Sequence, residues 1–153
     1  MTWQEYSRLM EGKLQKLKQL DQFALTAVNN VYREQLTRVF VDGKKSNNSP
    51  MGTYSEKYRE LKRKKIGTGG KVDLVFTSQF RAAFGLDNRK NEIVLGFQNA
   101  SRRNLSGGSS RVQNSEIRRY NEDRYGVIFD MTDSEYSNAQ KAIAFRINEI
   151  ISE

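Results

Sequence analysis

The chain has 153 residues and a net charge of +8, from 26 Lys/Arg against 18 Asp/Glu, with neither histidine nor cysteine. Without cysteine there are no disulfides, thiol nucleophiles or zinc–thiolate sites, and without histidine the commonest general base is missing. No apolar run approaches the roughly 20 residues needed to span a bilayer, and Gln4, Glu5, Arg8 and Glu11 interrupt any signal-peptide core, so a soluble, non-secreted protein is expected. The length suits one domain over residues 1–153. A mean hydropathy of −0.77 is low for a compact monomer, so part of the surface is expected to serve loops, arms or subunit contacts.

Residues 2–42 read as helical, as one long helix or as two joined near Asp21, which could cap the second. Trp3, Tyr6, Leu9 and Met10 make an apolar face that Leu14, Leu17 and Leu20 continue. Apolar residues then recur at helical spacing from Ala24 to Phe40, so the region needs partners on more than one side, from its own sheet or another subunit. Residues 42–52 form a loop by composition and hold the only proline, Pro50. Thr53 and Glu56 have capping-box spacing ahead of a basic helix with Tyr54, Tyr58 and Leu61 on one face. Gly67, Gly69 and Gly70 end it. Alternation of Val72, Leu74 and Phe76 with Asp73, Val75 and Thr77 predicts a strand over 72–77.

A short helix follows over 78–84, with Phe80 and Phe84 one turn apart, then a polar turn over 87–91 and a second strand, Glu92 to Phe97. Residues 98–115 are rich in Gly, Ser, Asn and Arg. Such a segment buries too little apolar area to offset the entropy of ordering it, so it reads as a mobile loop or an interface arm. An apolar segment returns from Ile117 to Phe129, with Gly126 at a bend. The clearest helix is the last, about 133–151: Thr132 and Glu135 make a second capping box, and Tyr136, Ala139, Ile143, Ile147 and Ile150 form a core stripe.

The order basic helix, glycine turn, Asp73-Leu74, Thr77-Ser78, Phe80-Arg81 resembles the virion morphogenesis (tail-completion and neck) proteins of tailed bacteriophages. In them a lysine-rich helix precedes a [VL]-D-L-x-x-T-G-x-[LMF]-R segment, with Ser78 here standing at the usual glycine. A second likeness is an aromatic strand end, Tyr125 to Phe129, leading into a capped C-terminal helix, although the family's Arg-Pro pair is absent. The resemblance implies an α+β fold, a small mainly antiparallel sheet flanked by the N-terminal helical region and the C-terminal helix. It implies a structural subunit of the phage particle at the head–tail junction or tail end, made in the bacterial host cytoplasm. Its partners would be copies of itself in a ring of about six or twelve, other neck or tail proteins and packaged DNA. Neither a membrane, a cofactor, a metal nor a small-molecule substrate is expected.

The charge is concentrated in the middle: residues 44–72 carry nine Lys/Arg and two Asp/Glu, a balance of +7, while residues 126–153 carry −3. Lys62, Arg63, Lys64 and Lys65, with Arg102, Arg103 and Arg111, are therefore candidates for a DNA-facing surface or for contact with an acidic neighbouring subunit. The alternative to a particle subunit is a sequence-independent nucleic-acid-binding protein that uses residues 57–71 and dimerises through the N-terminal helix. The Gly67–Lys71 glycines enter a strand instead of opening a helix, so they read as a turn and not as a phosphate loop. Asp73 and Glu92 could serve a metal-dependent nuclease only with a lysine two residues after Glu92, where Val94 sits. Asp73 is expected to bond a neighbouring turn or basic residue, and no catalysis is expected.

Overall fold

The computed structural model describes residues 2–67, 70–74, 79–89, 92–98, 101–103 and 111–152. It is an α+β fold. Two helices open the chain, α1 (Trp3–Leu17) and α2 (Leu20–Phe40), followed by the basic helix α3 (Glu56–Ile66) and a single turn α4 (Gln79–Ala82). Strands β1 (Phe84–Arg89) and β2 (Glu92–Phe97) form an antiparallel hairpin, with Phe84 opposite Phe97 and Leu86 opposite Leu95. A shorter antiparallel ribbon pairs β3 (Ser101–Arg103) with β4 (Arg111–Gln113), ahead of α5 (Asn114–Tyr125) and α6 (Asp133–Ser152).

Local chemistry accounts for most helix ends. Thr2 and Glu5 close a capping box on α1, and Thr132 and Glu135 close the expected one on α6, where Glu135 N–H donates to Thr132 Oγ1 at 3.0 Å and Thr132 N–H donates back to the Glu135 carboxylate at 2.7 Å. Two expected caps are corrected. The break between the first helices falls at Lys18–Gln19, and Asp21 lies inside the first turn of α2, where its charge favours the helix N-terminus. Thr53 forms a β-bridge with Lys71, and Ser55 precedes α3, whose Glu56 pairs with Arg59 instead of reaching back. Gly67 ends α3 in the left-handed region at φ 74°.

The core is centred on the aromatic rings of Phe40, Phe80, Phe84, Phe97 and Phe129. Phe80 stacks on Phe97 at 4.3 Å and Phe97 meets Phe129 edge-on at 4.8 Å. Val39, Met51, Val72 and Ile128 complete it. Each such ring pair adds about 0.5–1.5 kcal/mol beyond the area it buries. Met51, from the polar 42–52 loop, enters because Gly43 turns the chain at φ 67° and brings it beside Val72.

Segment 127–131 holds a correction with a clear cause. The first part of the apolar run from Ile117 to Phe129 is α5, and its last part, which the resemblance matches to a strand end, has no strand partner although Ile128 and Phe129 are buried. Buried backbone groups must be paired, and here side chains do it. Arg38, itself buried, donates to Ile128 O at 3.0 Å, to Asp130 O at 2.9 Å and to the Glu135 carboxylate at 2.9 Å. The Glu122 carboxylate accepts from the Ile128 and Phe129 N–H groups.

Elsewhere the described part of the predicted 72–77 strand, Val72 to Leu74, is not strand: Val72 N–H donates to Gly52 O, Leu74 N–H donates to the Tyr54 hydroxyl, and Leu74 has φ 53°, which a strand residue does not adopt; residues 75–78 lie outside the described residues. The predicted 87–91 turn is largely strand, because β1 continues to Arg89 and pairs it with Glu92. The 98–115 segment is not wholly a loop: its two ends form the β3–β4 ribbon, Asn114 starts α5, and 104–110 lie outside the described residues. On α6, Ile150 is buried and Ala139, Ile143 and Ile147 are half-buried, but Tyr136 is exposed.

Two glycines make opposite predictions. A Cβ at Gly43 would sit 2.4 Å from Val72 O and would also have to tolerate positive φ, whereas one at Gly12 in α1 would meet nothing within 4 Å. Gly43→Ala is expected to cost at least about 2 kcal/mol, and Gly12→Ala to strengthen α1 by about 0.5–1 kcal/mol. Urea unfolding and helical circular dichroism check both.

Candidate functional site

Three features outside the core bear on function: the N-terminal helix, the basic helix α3 and an open groove at the start of α6. None of the 15 residues of α1 is buried. Its apolar face stands in solvent, with Trp3 79 % exposed and Tyr6, Leu9, Met10 and Leu14 exposed as well. Trp3 and Tyr6 stack at 5.8 Å, one helical turn apart.

The tertiary seat of α1 is on α6. Helices α2 and α6 run antiparallel, as the contacts of Arg38 with Glu135 and of Phe23 with Arg146 show. The line continues to Lys13, whose ammonium donates to Ile151 O, and α6 ends one residue later at Ser152. Lys13 thus meets the last turn of α6, and Trp3 to Gly12 precede that contact along α1.

In α3 the structure separates residues that the sequence groups together. Lys62, expected at a DNA-facing or subunit surface, is 0 % exposed, which removes it from that surface. Its ammonium pairs with Asp73 and lies 4.8 Å from the Tyr54 ring centre. The Tyr54 hydroxyl donates to Asp73 and accepts from Leu74 N–H at 3.0 Å. This cluster ties α3 to the chain that leaves the glycine turn. Asp73 thus bonds a basic residue as expected. Burial first, then the Asp73 charge, push the Tyr54 hydroxyl well above the usual phenol range, and the same causes raise Tyr58.

Arg63, Lys64 and Lys65 are exposed in the last turn of α3, where their charge complements the helix C-terminus. Arg111 is exposed on β4, Arg102 and Arg103 lie on β3 opposite it, Arg81 is exposed on α4, and Phe80 is in the core. Thr77 and Ser78 lie outside the described residues. The Asp73–Glu92 pair is not assembled: Asp73 sits under Lys62, while Glu92 pairs with Arg89 at the hairpin end.

The groove, about 450 Å³, is lined by polar side chains including Arg33, Glu34, Asp42, Lys44 and Ser134. Beneath it lies Arg38, which the sequence reading passed over. Its signal was a charge at the helical spacing of Val31 and Gln35, both buried on the same side of α2. Among the described residues no helix is long and apolar enough to cross a membrane. Comparison with protein-family models, with curated proteins and with solved structures finds no match for this chain.

The buried cluster makes a pH prediction. An unfolded tyrosine loses its proton near pH 10, and Tyr54 and Tyr58 hold theirs to higher pH when folded. Above about pH 10 the folded state binds more protons than the unfolded one, so their contribution is intact below that pH and falls as pH rises further. Tyr54→Phe is expected to lose about 1–2 kcal/mol at neutral pH, and its deficit against the parent should shrink above pH 10. Lys62→Met, which leaves Asp73 half-paired, is expected to cost about 2–3 kcal/mol. Urea unfolding at neutral and alkaline pH measures both.

Proposed function

We infer that this chain is a structural assembly subunit, with association instead of catalysis as its activity. The observation that carries the reading is α1: a capped helix with an apolar face and no buried residue. Soluble monomers rarely leave a contiguous apolar face of this kind uncovered, and such faces mark interaction sites. Together with the sequence resemblance, this supports a subunit of a tailed phage particle at the head–tail junction or tail end, assembling as a ring with itself and meeting other neck or tail proteins. Closed rings use heterologous contacts, in which one patch meets a different patch of the next copy.

A second reading, sequence-independent nucleic-acid binding, is supported by the exposed cations Arg63, Lys64 and Arg111. It predicts that Arg63→Gln and Lys64→Gln each lower the salt dependence of duplex binding by about 0.9 in slope, while Lys62→Met, changing a buried ammonium, leaves it unchanged.

Light scattering separates the readings. The assembly reading expects a discrete multiple of 17.7 kDa that is unaffected by duplex DNA. A mass of one or two chains that rises only with DNA, and falls back with added salt, would replace it with the nucleic-acid reading.

A further inference from the structure

Helix α6 is set apart from the rest of the fold. None of its residues belongs to the aromatic core, and of its 20 residues only Glu135 and Ile150 are buried. It packs on α2 and α1. The chain that joins it to Phe129, Asp130 to Thr132, is neither helix nor strand and exposes Asp130 and Met131.

The seam that α6 covers is imperfect. Gln35 lies one turn before Arg38 on the same side of α2 and is 1 % exposed, yet neither its amide nitrogen nor its amide oxygen has a hydrogen-bond partner. A buried amide left unpaired weakens the packing around it. The firm contacts of α6 are at its two ends, where Glu135 pairs with Arg38 and Ile151 O accepts from Lys13. Elements with few buried contacts are the ones that open locally. Opening alone would leave the buried Arg38 charge without its carboxylate, which is costly. That cost selects the occupant of a vacated seam: a helix with a carboxylate at the position of Glu135, which is α6 from another copy of this chain.

We propose that α6 is exchanged between copies, each chain laying its α6 on the α2 of a neighbour, with residues 130–132 as the hinge. The proposal rests on the assembly reading and names one of its contacts. Exchange conserves the α2–α6 packing, the Arg38–Glu135 pair included, so the interface needs no new surface; this is why swapping is a low-cost route to oligomers. Phe129 stays in its own core, and the four steps from it to Asp133 span up to about 14 Å when extended. Short hinges of this kind favour exchange. Donor helix and acceptor face are different surfaces, so one-way donation is heterologous and closes into a ring, while mutual donation gives a pair. An exchanged α6 also meets α1 through Ile151 and Lys13, which brings the exposed face of α1 beside the neighbour.

The absence of cysteine makes the test direct. Phe23 on α2 and Arg146 on α6 face each other across the seam, the guanidinium carbon 4.7 Å from the ring centre, and both are half-buried. The full-length chain carrying Phe23→Cys and Arg146→Cys together is treated with a short bis-maleimide and run on a denaturing gel, beside each single variant. Exchange is expected to give linked multiples of 17.7 kDa from the double variant and no linkage from either single one. Linkage confined to one chain, with the parent a discrete oligomer by light scattering, would overturn the exchange and leave the assembly reading standing. Linkage confined to one chain, with a parent mass of one chain at every concentration, would overturn both. A second measurement decides the matter should the cysteine variant not fold. Arg38→Glu and Glu135→Arg chains each set like charges against one another across their own seam, and refolded together they satisfy both pairs only by exchanging α6. The mixture is expected to recover a cooperative urea transition that neither chain shows alone. A mixture no more stable than its separate chains would overturn the exchange.

Discussion

The buried guanidinium of Arg38 organises the part of the structure where three segments meet. It reaches from α2 to the carbonyls of Ile128 and Asp130 and to Glu135 in the first turn of α6. A buried charge is costly unless it is paired and hydrogen-bonded, and here the Glu135 carboxylate and two backbone carbonyls supply the acceptors. Glu135 is shared: it also accepts from Thr132 N–H, so the cap of α6 and the ion pair to α2 depend on one carboxylate. The start of α6 therefore takes its place relative to α2, and Ile128 and Phe129 enter the core without a strand to carry them.

The aromatic core depends on that placement. Phe129 touches Phe40, Phe80, Phe84 and Phe97, so rings from α2, α4, both hairpin strands and the irregular 127–131 segment pack together. The hairpin is anchored by ring contacts at its Phe84–Phe97 end, while its Arg89–Glu92 end carries charges that pair locally in solvent. The sheet is small because the remaining core walls are helices and side-chain-bonded chain.

The fold absorbs some candidate functional residues and leaves others outside. Lys62 and Asp73 are used to anchor α3, and Phe80 to fill the core. Arg63, Lys64 and the exposed apolar face of α1 remain available to partners. A helix that is well capped but has no fully buried residue gains little from its own chain, since helices in proteins are stabilised mainly by packing of an apolar face. That imbalance is the physical ground for reading α1 as a contact element.

Much of this was legible where the determining interactions are local. The Thr132–Glu135 cap, the helical spacing through α2 and α6, the apolar run of β2 and the stop at Gly67 all rest on neighbours within a few residues. The sequence could therefore specify these helices, the β2 strand and the apolar face of α1 by itself. It could not specify which charges are buried, because a lysine in a basic run looks solvated until Asp73, eleven residues on, closes over it. Nor could it show that 127–131 would be satisfied by side chains, since Arg38 and Asp130 are 92 residues apart. Pairing of the polar ends of 98–115 was hidden for a related reason, as ladder bonds are made by backbone groups that every residue carries. Tertiary structure alone decided these matters, because desolvation and hydrogen-bond satisfaction belong to groups brought together across the chain and not to any one segment.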